Sequence, residues 1–199
     1  MLAGAGFHKE GTVLKDVSGN AVEFSVVTNA GNKSRARMAA LIQQDFARIG
    51  IKLNIVTLDM PSLIERISRN YQYEACLLGF SGLALDPNDQ LNIWLSSSAT
   101  HQWNPHQATP ATPWEAEIDR LMTEQSSAPD VKKRKALLDR MQEIVWEQAP
   151  MIYLVHPHAL VAVSSKLANT APSVLRPRVF WNVDQLYLQG GTLVGQLHP

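Results

Sequence analysis

The sequence holds one cysteine, Cys76, so no disulfide can form within the chain. That thiol lies in the apolar segment YQYEACLLGF, which suits a buried, inert side chain better than a nucleophile needing an electropositive, partly exposed setting. No apolar run approaches the roughly 20 residues required to cross a bilayer. The first residues, MLAGAGFHKEG, show no basic stretch followed by an apolar core, so no export signal is readable there. Neither sign of charge is in excess: 18 lysines and arginines stand against 18 aspartates and glutamates. A nucleic-acid surface or a membrane-attracted face needs clustered positive charge. The longest basic run, KKRK at 132–135, falls in a helical pattern and reads as a solvated face. Phosphate-cradling fingerprints are missing, since neither G-x-x-x-x-G-K-[ST] nor G-x-G-x-x-G occurs. There is also no G-x-S-x-G elbow; Gly79 and Gly82 flank Ser81 at the wrong spacing for a serine hydrolase.

The composition that is present, 45% apolar and 18% charged over 199 residues, is that of a folded domain with one good-sized core. Residues 21–28, AVEFSVVT, alternate and are rich in β-branched types, which predicts a strand. Residues 34–49 place Met38, Leu41, Ile42, Phe46 and Ile49 at helical spacing, with Ser34 as the expected N-cap and Gly50 as the stop. A second alternating strand follows at 51–57, and this strand–helix–strand order favours a parallel pair. A short helix is expected over Met60–Ser68, with Pro61 in its first turn. Tyr73–Phe80 reads as a central strand covered on both faces. LNIWLSSS suggests a short helix, and residues 96–113 a long surface loop. Helices are expected over Trp114–Gln125 and Val131–Gln148, then one or two strands in APMIYLVHPHALVAVSS. This order predicts an α/β domain on a mixed sheet flanked by helices, with ligands gathering where strands end, at NAGN (29–32) and FSGLALDPND (80–89).

Several side chains could carry chemistry. His101, His106, His156 and His158 raise a metal centre, but no carboxylate or cysteine recurs at ligand spacing, so no metal site is expected. Asp86 and Asp89 could serve as paired acid and base, although a D-P-N-D turn more commonly uses them to bond local backbone. Phe80, Trp94, Trp103 and Trp114 cluster at or beside the long loop, where they would form either local core or a pocket wall.

Taken together, AGF at 5–7, VVTNAGNKSRARMAALIQQDFARIGIKLNI, YEACLLGFSGLALDPND, the helix with Arg134, Leu138, Gln142 and Glu147-Gln-Ala-Pro, and the closing FWNVDQLYL resemble a known family. It is that of the extracytoplasmic solute-binding proteins of ABC importers, in the peptide, nickel and oligosaccharide cluster called family 5. The resemblance spans residues 2–188, nearly the whole chain, through the order and spacing of its motifs. It implies a non-enzymatic, periplasmic-binding-protein-like lobe, half of a type II clamshell that closes on a solute and presents it to a membrane permease. It implies further that the chain corresponds to the C-terminal lobe over 1–163 and a returning tail over 164–199. The first lobe and the export signal would then lie outside it, with the parent protein periplasmic or anchored outside the membrane.

Carried over position by position, the resemblance nominates Asn29, Asn32 and Arg35 near the first helix start. In the second loop it nominates Phe80, Ser81, Gly82, Leu83 and Asp86; Trp103 joins the ligand-binding candidates from its place among the aromatics of the long loop, not from the resemblance. An arginine at a helix N-terminus suits a carboxylate or another electron-rich group. Peptide-binding relatives carry an acidic residue where this chain has Leu83, and leucine cannot pair with an ammonium group. No cofactor is implied, and the expected partners are a small solute (peptide, sugar or chelate) and an ABC permease, with no nucleic acid. An isolated lobe would also expose its former interface and favour self-association. The competing reading is an enzyme, a small α/β hydrolase or transferase using Asp86, Asp89 or His101, and a cleft-located histidine with a strongly perturbed pKa near those carboxylates would favour it.

Overall fold

The protein was studied as a computed structural model that describes residues 1–80, 86–156, 158, 160–173 and 177–189. Its centre is a three-stranded parallel sheet in the order β4-β3-β5, where β3 is Glu23–Asn29, β4 is Lys52–Leu58 and β5 is Ala75–Cys76. Ahead of it lies an antiparallel pair, β1 (His8–Glu10) and β2 (Val13–Lys15), and near the chain's end a second, β6 (Leu167–Ala168) with β7 (Tyr187–Leu188). Parallel and antiparallel pairing therefore occupy separate ladders.

The helix linking β3 to β4, α1 (Lys33–Ile49), begins one residue before the sequence expectation. Its N-cap is Asn32 in place of Ser34: the Asn32 Oδ1 accepts the Arg35 N–H at 3.0 Å. Gly50 closes α1 in the left-handed region, at φ 88°, and its N–H reaches the carbonyls of Ala47 and Phe46. The register Glu23↔Lys52 through Asn29↔Leu58 aligns the two strands along their whole length.

Alternation along β3 explains the layering. Val26 faces α1 with Ala39, Leu53 and Leu77, joined by Phe24, Met38, Ile42 and Phe46. Its neighbour Val27 faces the opposite side, where α2 (Met60–Ser68) packs Leu63 and Ile67. The sheet is thus covered on both faces, which is why Tyr73–Phe80 is apolar nearly throughout. Only Ala75 and Cys76 of that segment form a ladder, against Val26 and Val27. Leu77 continues the contact through its N–H to the Val27 carbonyl and its carbonyl to the buried Thr28 hydroxyl, at 2.9 and 2.8 Å.

A second core is wholly helical. It is built by α3 (Leu91–Trp94), α4 (Pro113–Ser127) and α5 (Val131–Gln148), around Ile118, Leu121, Met122, Met141 and Ile144. Thr112 caps α4, with Thr112 Oγ1 accepting the Glu115 N–H at 3.2 Å, and Asp130 caps α5.

The strands expected in 149–165 are not found among the described residues there. Ile152, Tyr153, Leu154 and Val155 are exposed instead, with no neighbouring strand to take up their backbone groups. The residues 96–113 form no helix or strand over 96–111, but they are not a loose surface loop. Ser96 and His101 are buried, and the two Asp119 oxygens hold the Ser96 N–H and hydroxyl at 2.8 and 2.6 Å.

Candidate functional site

Because β3 and β5 are neighbours, the segments leaving them emerge side by side. Asn29 ends β3, Asn32 caps α1, and Arg35 follows one turn later. Arg35 Nη1 donates to Asn29 Oδ1. The guanidinium also comes close to the segment after β5, since a Cβ on Gly79 would stand 3.0 Å from Arg35 Nη2. Phe80, next in the chain, is 47% exposed.

Arg35 is half-buried, and among the described residues it forms no ion pair; its side-chain acceptor is a neutral amide. The first turn of α1 contains no acidic residue, while Lys33 and Arg35 both stand near its unpaired N–H groups. A guanidinium without a carboxylate partner among the described residues is the kind of group that an anionic or electron-rich ligand can meet.

Three of the nominated residues, Asn29, Asn32 and Arg35, are linked to one another at this mouth, and Phe80 follows Gly79 beside it. Ser81, Gly82 and Leu83 lie outside the described residues. Asp86 has another engagement. Its Oδ1 accepts the Asn88 N–H at 2.9 Å, and its two oxygens accept from Arg134 Nη2 at 2.5 Å and Nη1 at 3.1 Å. Those bonds, from Arg134 first and from the Asn88 amide, hold the Asp86 carboxyl below the usual aspartate range. The D-P-N-D segment is thus a capped 3-10 turn, Pro87–Gln90, fastened to α5.

Trp103 does not reach the mouth. It is half-buried against the helical core, 5.9 Å from Trp94 and 6.3 Å from Trp114 between ring centroids. Its indole N–H donates to Glu115 Oε1 at 3.1 Å. His101, with no exposed surface, is held between the Ile93 carbonyl at 3.0 Å from Nδ1 and Glu115 Oε1 at 3.2 Å from Nε2. Gln107 and Thr112 donate to the same carboxylate at 2.8 and 2.7 Å. Burial alone would push Glu115 up, yet hydrogen bonds from Gln107, Thr112, His101 and Trp103 together hold it below the usual glutamate range. Each nitrogen of His101 bonds an atom of α3 or α4, and neither bonds Asp86.

The sequence reading overlooked Glu115 and Arg134 as organising residues. Thr112-Pro-Trp-Glu115 carries the capping-box spacing, a signal that could have singled out Glu115. Nothing local marks Arg134, whose partner is 48 positions away. Among the described residues no three His, Cys, Asp or Glu side chains converge as metal ligands, and His156 and His158 are exposed. Cys76 is packed behind the sheet, where burial pushes its thiol up to about 11.

Comparison with known proteins concerns the chain as a whole. The model of the bacterial extracellular solute-binding proteins, family 5 (middle), matches residues 1–102. The oligopeptide-binding protein AppA of Bacillus subtilis (strain 168) is 29% identical over 171 residues, which cover 84% of this chain and 30% of that protein. Heme-binding protein A of Haemophilus influenzae is 30% identical over 157 residues, or 79% of this chain and 28% of that one. Among solved structures, Bacillus subtilis AppA in complex with a nonapeptide superposes with a TM-score of 0.73 at 24% identity, covering 94% of this chain and 36% of AppA. The stachyose complex of MelB from Agrobacterium fabrum gives 0.64 at 16% identity, over 75% and 24% of the two chains. The chain thus spans about 30% of the length of the curated relatives it matches.

Proposed function

The chain belongs to the bacterial extracellular solute-binding proteins of family 5, and from that premise we propose that it supplies one wall of a solute cleft serving an ABC importer. The wall is the mouth between β3 and β5, where Asn29, Asn32 and Arg35 are linked to one another and Phe80 follows Gly79 beside them. The observation that carries this reading is Arg35, a half-buried cation braced by a neutral amide, with its charge left for a ligand. Residues 1–163 act as the C-terminal lobe, and 164–199 return toward a first lobe outside the chain. The exposed Phe180, Trp181, Tyr187 and Leu188 support that direction. The protein works outside the cytoplasm, presenting its solute to a membrane permease.

The solute carries a carboxylate or a comparable electron-rich group that meets Arg35. Relatives are named for oligopeptides, di- and tripeptides and heme, so a peptide-like molecule fits the set. Leu83 takes the place of an acidic ammonium partner, which favours solutes held by their anionic end over those held by a free amino terminus. Tri-alanine and its C-terminal amide serve as probes, titrated while backbone amide resonances are followed by NMR. The free carboxylate should shift Asn29, Arg35 and Phe80, and the amide or Arg35→Ala should weaken the response about tenfold, the effect of losing one charge-assisted hydrogen bond. Equal responses to acid and amide would remove Arg35 from the site.

A further inference from the structure

Both ring nitrogens of the buried His101 face atoms that act as acceptors. Nδ1 lies 3.0 Å from the Ile93 carbonyl oxygen and Nε2 lies 3.2 Å from Glu115 Oε1. That carboxylate oxygen is already held as an acceptor by two donors that cannot reverse. The Trp103 indole N–H reaches it at 3.1 Å and the Gln107 amide nitrogen at 2.8 Å. The Gln107 amide is fixed in this sense because its own Oε1 accepts the Ala111 N–H at 2.6 Å. A neutral imidazole has one N–H and one lone pair, so it would turn that lone pair toward one of the two acceptors. The imidazolium has two N–H groups and satisfies both. Moving the proton onto Oε1 would instead make a carboxylic hydroxyl the acceptor for Trp103 and Gln107, which forfeits two charge-assisted bonds.

The surroundings favour a cation as well. The Trp103 ring centroid is 3.8 Å from that of His101, within cation–π reach. Of the helices around this core, α3 (LNIW) has no titratable side chain, and α5 faces it with Met141, Ile144 and Val145. From α4 come two carboxylates, Glu115 and, one turn on, Asp119, whose oxygens hold Ser96. Within the segment itself, His106 sets its ring against Tyr71.

We propose that His101 and Glu115 form a buried imidazolium–carboxylate pair, and that this pair is a pH-sensitive latch holding the residues between α3 and α4 to the helical core. Taking one proton from His101 turns a lone pair toward Ile93 or Glu115 and removes the positive partner of a buried carboxylate, so the latch weakens as pH rises. The next residue carries the change to the sheet. The Gln102 carbonyl accepts the Tyr73 hydroxyl at 2.5 Å, and Gln102 Oε1 lies 3.7 Å from Cys76 Sγ.

Long-range proton–nitrogen NMR of the histidine rings tests this on the unmodified chain, with free imidazole in the sample as reference. As pH is raised until the free imidazole has lost its second proton, His101 should keep a proton on each nitrogen. At higher pH the loss of one of them should coincide with shifts of the Trp103 indole and Gln102 amide signals. In Glu115→Gln, which removes the countercharge, His101 should lose its second proton together with the free imidazole. A bare ring nitrogen on His101 while the free imidazole is still doubly protonated would overturn the pair, and so would His101 losing its proton alongside the reference in the unmodified chain. Unmoved Trp103 and Gln102 signals when His101 gives up its proton would overturn the latch. Should Glu115→Gln fail to fold, the titration of the unmodified chain decides both points.

Discussion

His101 Nε2 stands 3.2 Å from Glu115 Oε1, inside a region where neither side chain has more than 2% of its surface exposed. Around that contact Trp103, Gln107 and Thr112 add three more donors to the Glu115 carboxylate. The residues linking α3 to α4 are therefore folded around a buried anion, although their polar composition reads as surface.

Removing the anion takes away the acceptor that Trp103 and Thr112 use and one of the two that Gln107 uses, and it leaves His101 Nε2 without its partner. Glu115→Ala should cost about 3 kcal/mol or more in urea unfolding followed by tryptophan fluorescence, the range for stripping one partner from a buried charged pair. Glu115→Gln, which keeps one acceptor oxygen, should cost less. A loss below about 1 kcal/mol in Glu115→Ala would mean the network adds little to stability.

The same carboxylate sets an acid limit. Its folded value is depressed below the ordinary 4.5, so the ionised form adds stability that is complete above that value and is lost as pH falls through the lower folded one. Stability measured between pH 6 and pH 3, a window set by these carboxylate values, should hold at the upper end and drop below about 4.5. In Glu115→Gln that part of the acid slope should disappear. An identical slope in both proteins would assign acid sensitivity to other carboxylates.

Two glycines should respond oppositely to alanine. At Gly50, with φ 88°, a Cβ would lie 2.7 Å from both the Leu14 nitrogen and the Thr12 carbonyl oxygen, backbone atoms that cannot swing aside. Gly50→Ala should cost about 2 kcal/mol or more. At Gly79 the nearest atom is the end of the Arg35 side chain, at 3.0 Å. Gly79→Ala should stay within about 1 kcal/mol in stability yet displace the guanidinium, read as a change in the Arg35 side-chain NMR signal. A large stability loss at Gly79 would show that Arg35 cannot move.

The β3–α1–β4 unit was legible because its signals are local: alternation in the strands, helical spacing from Met38 to Ile49, and Gly50 as the stop. The ends of β3 and α1 likewise place Asn29, Asn32 and Arg35 beside one another, the residues of the proposed wall. The cap position shifted because Asn32 and Ser34 are equally good capping types, and only the path of NAGN selects between them. Pairing across the chain was not legible. An apolar run such as MIYLV looks like a strand whether or not a neighbouring strand exists to complete it, and Asp86 gives no hint of Arg134. Trp103 was assigned to a pocket wall because its indole partner, Glu115, lies 12 residues further along.

The apolar side chains left on the surface have a solution consequence. Ile152, Tyr153, Val155, Phe180 and Trp181 are all exposed, and large apolar side chains left in water favour association. Sedimentation of the isolated chain should show mass rising with concentration, and the paired change Tyr153→Glu with Trp181→Glu should suppress it. A monomer at all concentrations would mean these side chains do not associate.

The contact of Cys76 Sγ with Gln102 Oε1, 3.7 Å away, joins the back of the sheet to the residues flanked by His101 and Trp103. Tyr73 adds its hydroxyl to the Gln102 carbonyl at 2.5 Å. Since the sequence has no other thiol, alkylation of Cys76 reports on this one junction between the layers: the side chain is partly exposed as folded, and any lifting of the helical half off the strands adds to the labelling rate which that exposure sets.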